Sequence, residues 1–472
     1  MAERKRIYLC LAHMSEEGLE QKYIKEAFDT NWVVPLGPNV NGFEKDLEEF
    51  VNGTTESQKN GTTEVSANSP ETCDLKHETL SKRVVALSAG TAAVHLALLA
   101  CGVGPGDEVC VQSFTFCASS HPITYLGATP VFIDSEKETW NMDPELLEKA
   151  IIDRKEKTGK YPKAIVPVAL YGMPYKIDQI MAIADKYGIP VVEDAAEGFG
   201  SKFKGQVLGT FGKYGVLSFN GNKMITTSGG GALITEDEEH WREIMMYATQ
   251  YRESYPYYQH EKIGYNYRMS NICAGIGRGQ MTVAADHIAH HKHVQALYEL
   301  LLADVPGIAV HKQPNETCNM KPETPKYDSN YWLCTITLDP DLKIKGQENA
   351  YKTIVTGAVG GAAGVIHAAS SATTDCQPNE NVEALRVFMD QAQIEARPVW
   401  KPMHKQPVYE GRGLKDEVRC EGYRVVTTDK SVSYINGVSE EIFKVGMCLP
   451  AGPYVTDEDV QYIVQCIKDA IE

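Results

Sequence analysis

The sequence lacks several features that mark particular classes of protein. No apolar run is long enough to cross a membrane, and the first residues show no apolar stretch typical of a secretory signal. The twelve cysteines form no Cys-x-x-Cys pair and no metal-ligand spacing, so we expect no zinc module. Positive charge is scarce, because 46 Lys and Arg stand against 63 Asp and Glu, a net charge of −17. A nucleic acid or an anionic membrane needs a positive face, so we expect neither as a partner. Most of the cysteines stand in apolar segments, where cysteine packs as a small hydrophobe, so we predict a reducing, cytoplasmic compartment.

The glycine fingerprint of dinucleotide binding is also missing. The first predicted strand is not followed by Gly-x-Gly-x-x-Gly, which argues against an NAD enzyme. Strands and helices alternate from Arg83 onward, and this order predicts an α/β fold with a mostly parallel sheet covered on both faces. Ligands of such sheets bind beyond the carboxyl ends of the strands. The predicted strands are Val84–Leu87, Glu108–Gln112, Pro130–Ile133, Ala164–Ala169 and Pro190–Glu193.

The chain divides into two predicted domains. Residues 1–285 are expected to form a large α/β domain, and residues 286–472 a smaller α+β domain. A long helix at Gly277–Leu302 is predicted to lead from one to the other, and a capped amphipathic helix at Thr456–Ile471 ends the chain. Residues 52–81 are polar and poor in apolar side chains, so we predict an exposed insertion there.

Lys223 stands in a stretch rich in glycine and asparagine, with the sequence Ser218-Phe-Asn-Gly-Asn-Lys-Met-Ile-Thr-Thr-Ser-Gly-Gly-Gly231. Such a loop lets the backbone turn sharply and approach a ligand closely. A lysine held there, partly out of water, is suited to form a Schiff base with an aldehyde cofactor. The alternative is a surface lysine in a turn, and the choice depends on the residues that precede it.

Three further features are predicted to meet that lysine at the strand ends. The turn Ser88–Thr91 opens a helix whose free N–H groups suit a phosphate; the alternative is an ordinary helix N-cap. Asp194 and Glu197 follow an apolar strand, where a carboxylate can keep a ring nitrogen protonated; the alternative is a pair of acids at a helix start. The Ser218 hydroxyl is suited to hold a phosphate oxygen, or else to bond nearby backbone.

Together these features match one cofactor. A phosphate cradle, a carboxylate for a ring nitrogen and a Schiff-base lysine are what pyridoxal 5′-phosphate (PLP) requires. Phe114 and Phe116 follow the strand that ends at Gln112 and are candidates to stack on the open face of the ring. The alternative for each phenylalanine is core packing.

Several longer motifs occur in order along the chain, namely Pro35–Gly37, Ser88–Ala97, Ser113–Phe116, Glu193–Glu197, Ser218–Gly231, Gly264–Asn271 and Arg397–His404. With them the chain resembles the fold type I, PLP-dependent nucleotide-sugar aminotransferases of the DegT type. Within these it is most similar to the branch that serves UDP-N-acetylbacillosamine synthesis. The resemblance implies a mostly parallel seven-stranded sheet and covers nearly the whole chain, although residues 52–81 and 343–380 are longer than the family core.

The resemblance assigns roles around the cofactor. It implies that Lys223 forms the Schiff base and that Asp194 partners the pyridine nitrogen. Glu197 would lie near the ring hydroxyl, and Phe116 would take the stacking position. The residues implied to hold the phosphate are Gly90, Thr91 and Ser218.

The resemblance also extends to a second subunit and to the substrate. Asn266 would reach the phosphate bound by a neighbouring subunit, so we expect a homodimer with shared active sites. His404 and the loop at Arg397 would line the side of the site that receives the sugar nucleotide. The alternative for that segment is a solvated basic loop.

The activity implied is transamination. L-glutamate would give its amino group to the cofactor, which would pass it to a keto group of a UDP- or dTDP-linked deoxysugar. A UDP-4-keto-6-deoxy-N-acetylhexosamine is the expected substrate, for amino-sugar and polysaccharide synthesis. Sugar dehydratases of the family replace the lysine by histidine, so Lys223 favours amino transfer. A non-catalytic, ligand-sensing regulator of the same fold is the alternative from another class.

Overall fold

The computed structural model describes residues 5–53, 82–318, 321–351, 376–410 and 416–472. From residue 54 on, the predicted insertion at 52–81 lies outside the described residues, and so does the 352–375 part of the 343–380 stretch. The helices are α1 (Leu19–Asp29), α2 (Pro38–Val51), α3 (Gly90–Ala100), α4 (His121–Tyr125), α5 (Pro144–Thr158), α6 (Ile177–Tyr187), α7 (Glu238–Ala248), α8 (Asn271–Met281), α9 (Ala284–Leu301), α10 (Glu380–Gln391), α11 (Pro407–Glu410), α12 (Val438–Val445) and α13 (Asp457–Ala470).

The strands are β1 (Arg83–Leu87), β2 (Glu108–Gln112), β3 (Thr129–Ile133), β4 (Ala164–Val166), β5 (Val192–Asp194), β6 (Lys202–Phe203), β7 (Gln206–Val207), β8 (Tyr214–Ser218), β9 (Gly231–Thr235), β10 (Ile308–Val310), β11 (Thr317–Cys318), β12 (Lys321–Pro325), β13 (Tyr327–Asp328), β14 (Cys334–Leu338), β15 (Arg397–Pro398), β16 (Asp416–Cys420), β17 (Tyr423–Thr427), β18 (Val432–Ile435) and β19 (Gly446–Leu449).

The main sheet is built from the alternating region of the chain. Its order is β1-β9-β8-β5-β4-β2-β3, with β4 and β5 joined by parallel bridges. β9 runs antiparallel to both of its neighbours, and the other strands share one direction. The predicted mostly parallel, seven-stranded sheet is therefore confirmed. Its strands are apolar along their length because helices cover both faces.

Three strands from the C-terminal part of the chain extend this sheet. β18 pairs in parallel with β3, and β17 and β16 follow in antiparallel order. The structure thus differs from the predicted division, which placed all of 286–472 in the small domain. The physical reason is edge pairing, because β3 would otherwise leave a row of backbone N–H and C=O groups unpaired. Val432 and Tyr434 of β18 are buried in the same core as Val131 and Ile133 of β3.

A second core lies in the C-terminal half. The sheet β10-β14-β19-β15 packs with α9, α10 and α13, and Leu385, Met447 and Ile463 are fully buried between them. Ile7 from the N-terminal segment joins this core and bridges to Ile394. None of the helices in the described part of the chain combines the length and apolar character that crossing a membrane requires.

The predicted long helix at 277–302 is two helices, α8 and α9, which are separated at Thr282 and Val283. The Thr282 hydroxyl donates to the carbonyl of Gly279 at 2.6 Å. A threonine that bonds the preceding turn in this way competes with continuation of the helix. The predicted cap of the last helix is present, because Thr456 and Asp459 form a capping box at the start of α13.

Candidate active site

A cavity of about 450 Å³ lies where the carboxyl ends of β5 and β8 meet the start of α3. This is the end of the sheet at which ligands of parallel α/β folds bind, and the volume is typical of a small-molecule site. Seven of the ten predicted site residues line it, namely Gly90, Thr91, Phe116, Asp194, Glu197, Ser218 and Lys223.

Lys223 enters the cavity from the loop between β8 and β9. Its backbone N–H donates to the carbonyl of Asn220 at 3.0 Å, which fixes the turn that presents the side chain. The side chain is 13% exposed, and Nζ lies 3.3 Å from Oε1 of Glu197. An amine held beside a carboxylate and away from bulk water is suited to covalent chemistry with an aldehyde.

The start of α3 forms an anion-binding corner of the cavity. The helix begins at Gly90, and its cap residue Ala89 makes no side-chain hydrogen bond to the first turn. Thr91 lies inside the helix and is not its N-cap, so the first N–H groups remain for a ligand. Ser218 faces the same corner, since a Cβ on Gly90 would lie 3.2 Å from its Oγ. Position 231 requires glycine because the backbone at the start of α3 passes close to it: a Cβ on residue 231 would lie 2.5 Å from the nitrogen of Gly90.

Asp194 ends β5 and is 3% exposed. Its Oδ2 accepts a hydrogen bond from the Ser119 hydroxyl at 2.6 Å, and its Oδ1 accepts one from the N–H of Ala196 at 3.1 Å. Burial raises the pKa of Asp194, and the bond from Ser119 acts in the opposite direction. These two donors hold the carboxylate of Asp194 in one orientation. A cationic group bound in the cavity would favour the ionised form of that carboxylate.

The carboxylate of Glu197 is held in place by a backbone N–H group. Its Oε2 accepts the N–H of Tyr171 at 2.7 Å, and Tyr171 adopts a left-handed conformation with φ of 55°. Such a conformation costs energy for a residue other than glycine, and it is found at sites where the backbone must aim a group at a ligand or partner. Burial raises the pKa of Glu197, and the positive charge of Lys223 opposes this.

Two phenylalanines predicted to be candidates for ring stacking have different environments. Phe116 lines the cavity, is 52% exposed, and its ring centre lies 5.6 Å from that of Trp400. Phe114 is fully buried, and its ring centre lies 6.4 Å from that of Trp140 in the core. Phe116 is therefore the one available to stack on a ligand, and Phe114 takes the alternative role of core packing.

The other three predicted residues do not line this cavity. The Arg397 guanidinium pairs with Glu395 at 2.6 Å, and its expected role toward a sugar nucleotide stays a prediction. The His404 imidazole is buried, and its two nitrogens bond Ser113 at 2.6 Å and Glu440 at 3.1 Å; its expected role beside the substrate also stays a prediction. Asn266 is exposed outside the cavity, beside Thr249.

Three residues of the site were missed by sequence reasoning. Ser119 bonds Asp194, and Trp332 and Trp400 line the cavity. A signal for Ser119 existed, because hydroxyl residues cluster after β2 at the end of the sheet where ligands bind. Trp332 had none, since it precedes an apolar run as a core aromatic would, whereas Trp400 lies in the Arg397 loop that was expected to line the substrate side.

The residues present fit PLP. The amine of Lys223 and the carboxylate of Asp194 line one cavity, the first turn of α3 and Ser218 offer donors to a phosphate, and Phe116 offers an aromatic face. Gly90 leaves room for the phosphate, because a side chain there would press on Ser218. PLP needs each of these features.

Comparison with known sequences agrees with the site. A sequence model of the DegT/DnrJ/EryC1/StrS aminotransferase family matches residues 74–347. EpsN of Bacillus subtilis, named as a PLP-dependent aminotransferase, is 37% identical over 467 residues, which cover 98% of this chain and 95% of that protein. GDP-perosamine synthase of Caulobacter vibrioides is 30% identical over 96% of each chain. The UDP-2-acetamido-2-deoxy-3-oxo-D-glucuronate aminotransferase of Pseudomonas aeruginosa is 38% identical over 48% of this chain and 60% of its own length.

The fold also matches solved structures. A crystal structure of a DegT DnrJ EryC1 StrS aminotransferase from Brucella abortus superposes with a TM-score of 0.71 at 24% identity, over 96% of this chain and 95% of that one. The fold is therefore the one predicted from the sequence.

Proposed function

The chain belongs to the DegT/DnrJ/EryC1/StrS family of PLP-dependent sugar aminotransferases, and we propose that it transfers the amino group of L-glutamate to the keto carbon of a nucleotide-linked deoxysugar. The observation that carries this proposal is the meeting of Lys223, Asp194 and the start of α3 in one cavity. PLP, when bound, supplies the aldehyde that accepts the amino group and a ring that withdraws electrons. The remaining chemistry belongs to residues of the chain.

In this proposal each residue of the cavity has a separate role. Asp194, held by Ser119, keeps the ring nitrogen protonated, and the first turn of α3 with Ser218 anchors the phosphate. Phe116 covers one face of the ring. Lys223 would be the residue that bonds the aldehyde of PLP, and its amine, when free, would be the base that takes the proton from the substrate carbon and returns it to complete the transfer. Glu197, 3.3 Å from that amine, keeps it over the reacting atoms.

The proposed sugar is a UDP-4-keto-6-deoxy-N-acetylhexosamine. Relatives of the chain are named for both UDP- and GDP-linked sugars, and the Pseudomonas aeruginosa enzyme named for a UDP sugar is the more similar within the part that matches. A phosphate-rich substrate suits a local site even though the chain carries a net charge of −17. The sugar nucleotide would lie beside Phe116 and Trp400, whose rings line the cavity with their centres 5.6 Å apart.

We also propose a homodimer in which Asn266 of one subunit completes the phosphate site of the other. Asn266 is exposed and lies outside the cavity of its own chain. Near it in the chain, Tyr258 is 81% exposed and Ile263 is 84% exposed, as expected of a segment covered by a second copy. Mixing inactive Lys223→Ala and Asn266→Ala chains tests this directly. A mixed dimer would contain one intact site, so mixing should restore activity. If each site were built from a single chain, every site in the mixture would carry one of the two substitutions and the mixture would stay inactive.

The function itself is tested by colour and by product. The purified protein is expected to be yellow and to bleach when glutamate is added, and it should then aminate one member of a panel of UDP-, dTDP- and GDP-linked keto sugars. A sugar dehydratase would release water from the sugar without consuming glutamate. A non-catalytic, ligand-sensing regulator would bind without bleaching. Either result would contradict the proposal.

A further inference from the structure

The indole of Trp332 is a part of the site that the proposed function does not use. Nζ of Lys223 lies 4.0 Å from the centre of the Trp332 ring. The indole is 2% exposed, so this contact is shielded from water. A cation attracts the face of an aromatic ring at such distances, and the attraction is greater where both groups are desolvated.

Two hydrogen bonds fix the position of Trp332, one from its indole and one from its backbone. Its Nε1–H donates to the carbonyl of Asn222, the neighbour of Lys223, at 2.7 Å. Its backbone N–H donates to Oδ1 of Asn330 at 2.8 Å. The amide of Asn330 in turn donates to the carbonyls of Glu197 and Phe199, both at 2.9 Å. Residues 330–332 therefore fasten the lysine loop and the Glu197 loop to one short segment.

We propose that Trp332 is a positioning residue for Lys223, and that the face of its indole, next to Glu197, holds the ammonium that Lys223 becomes once its free amine has taken up a proton. This inference rests on the proposed function, because the indole would hold the side chain of Lys223 in position during the part of each amino transfer in which its nitrogen is not bonded to the cofactor. Three other titratable groups act on the same amine, namely Glu197, Asp194 and the buried thiol of Cys10. The contribution of the indole must therefore be separated from theirs.

Two substitutions separate the aromatic face from the N–H donor. Trp332→Phe keeps a ring face but removes the hydrogen bond to Asn222, and Trp332→Leu removes both. Trp140→Leu is the matched control, because Trp140 is also buried, at 6% exposure, and stacks on His311 away from the cavity. The cofactor is removed from each protein, acetic anhydride is added near neutral pH, and the acetylation rate of Lys223 is followed by peptide mass spectrometry.

The indole face predicts a definite order of rates. An ammonium does not react with the anhydride, so Trp332→Leu should be acetylated at Lys223 about 2- to 30-fold faster than the unaltered protein. Trp332→Phe should stay close to the unaltered rate, and Trp140→Leu should not change it. At high pH, where amines are neutral, the rates should converge; a lasting difference would mean easier access and would overturn the proposal. Equal acceleration in Trp332→Phe and Trp332→Leu, or in the control, would also overturn it.

A second measurement uses the complete enzyme. Trp332→Leu should lower kcat by about tenfold with little change in KM for the keto sugar, because the amine is misplaced only after the substrate has bound. Trp332→Phe should restore most of kcat. Failure of the proposed function is distinguishable: a protein that never becomes yellow would refute the cofactor assignment, while the acetylation rates would still report whether the indole holds the amine.

Discussion

Removal of the Ser119 hydroxyl is the most direct test of how Asp194 is kept ionised. That hydroxyl donates to Oδ2 of Asp194 at 2.6 Å, which leaves Ala196 as the remaining hydrogen-bond donor to the carboxylate in the described residues. A hydrogen bond to a charged group is worth about 1.5–3 kcal/mol, and about 1.4 kcal/mol corresponds to one pH unit. Ser119→Ala should therefore disfavour the carboxylate form of Asp194 by an energy of that order, and so raise further a pKa that burial already raises.

The assay is the pH dependence of kcat/KM for amino-sugar formation. Since the lost bond stabilised only the carboxylate form, Asp194 takes up its proton at higher pH, and the acidic limb of the profile should move upward by the same amount. Ser119→Thr keeps a hydroxyl and should return the limb toward its original position. Ser120→Ala removes a neighbouring hydroxyl that bonds Tyr409 and should leave the limb unchanged. An acidic limb that is the same in Ser119→Ala and in the unaltered enzyme would refute the reasoning.

Three other substitutions test the site and the fold. Lys223→Ala should abolish the yellow colour and amino transfer without unfolding the protein; retained turnover in a coupled assay would contradict the assignment. His404→Ala should lower the free energy of unfolding in urea by about 2 kcal/mol, because it removes one hydrogen-bond partner from the buried Ser113 and one from the half-buried Glu440; an unchanged midpoint would contradict this. Burial raises the pKa of Glu193 from 4.5 to about 7, so the native state favours the protonated acid and loses stability as pH rises through that interval. Glu193→Gln should match the unaltered protein near pH 5 and exceed it by about 3 kcal/mol near pH 8, and calorimetry that finds parallel pH profiles would refute it.

Several elements of the fold were predictable because they depend on local patterns. The strand at 108–112 and the last helix, predicted at 456–471, match the structure to within a residue at each end, since apolar patterns and capping residues mark their bounds. The position of β18 was not predictable in the same way. Residues 416–435 form a hairpin and strand by local pattern, but nothing local states whether they pair with β3 or with the second sheet. That choice depends on which strand edge is open once the rest has folded.

The candidate site divides along the same line. Lys223, Asp194 and Ser218 were candidates because each lies at a predicted strand end or in a glycine-rich loop, and the family resemblance then implied their roles; all three line the cavity. The family resemblance implied that His404 lies beside the substrate, with a solvated basic loop as the alternative. His404 is buried against Ser113, which lies 291 positions away, and against Glu440.

By itself the sequence determined the alternation of strands and helices, the lysine loop and the acids that follow β5, because these are short-range patterns of apolar, glycine and charged residues. Only the tertiary structure decided which groups support them. Ser119 meets Asp194 across 75 positions and Trp332 meets the lysine loop across 110, and such contacts arise from the packing of whole elements. Hydrogen bonds and ring contacts depend on distances of a few ångströms in space, which separation along a chain does not encode.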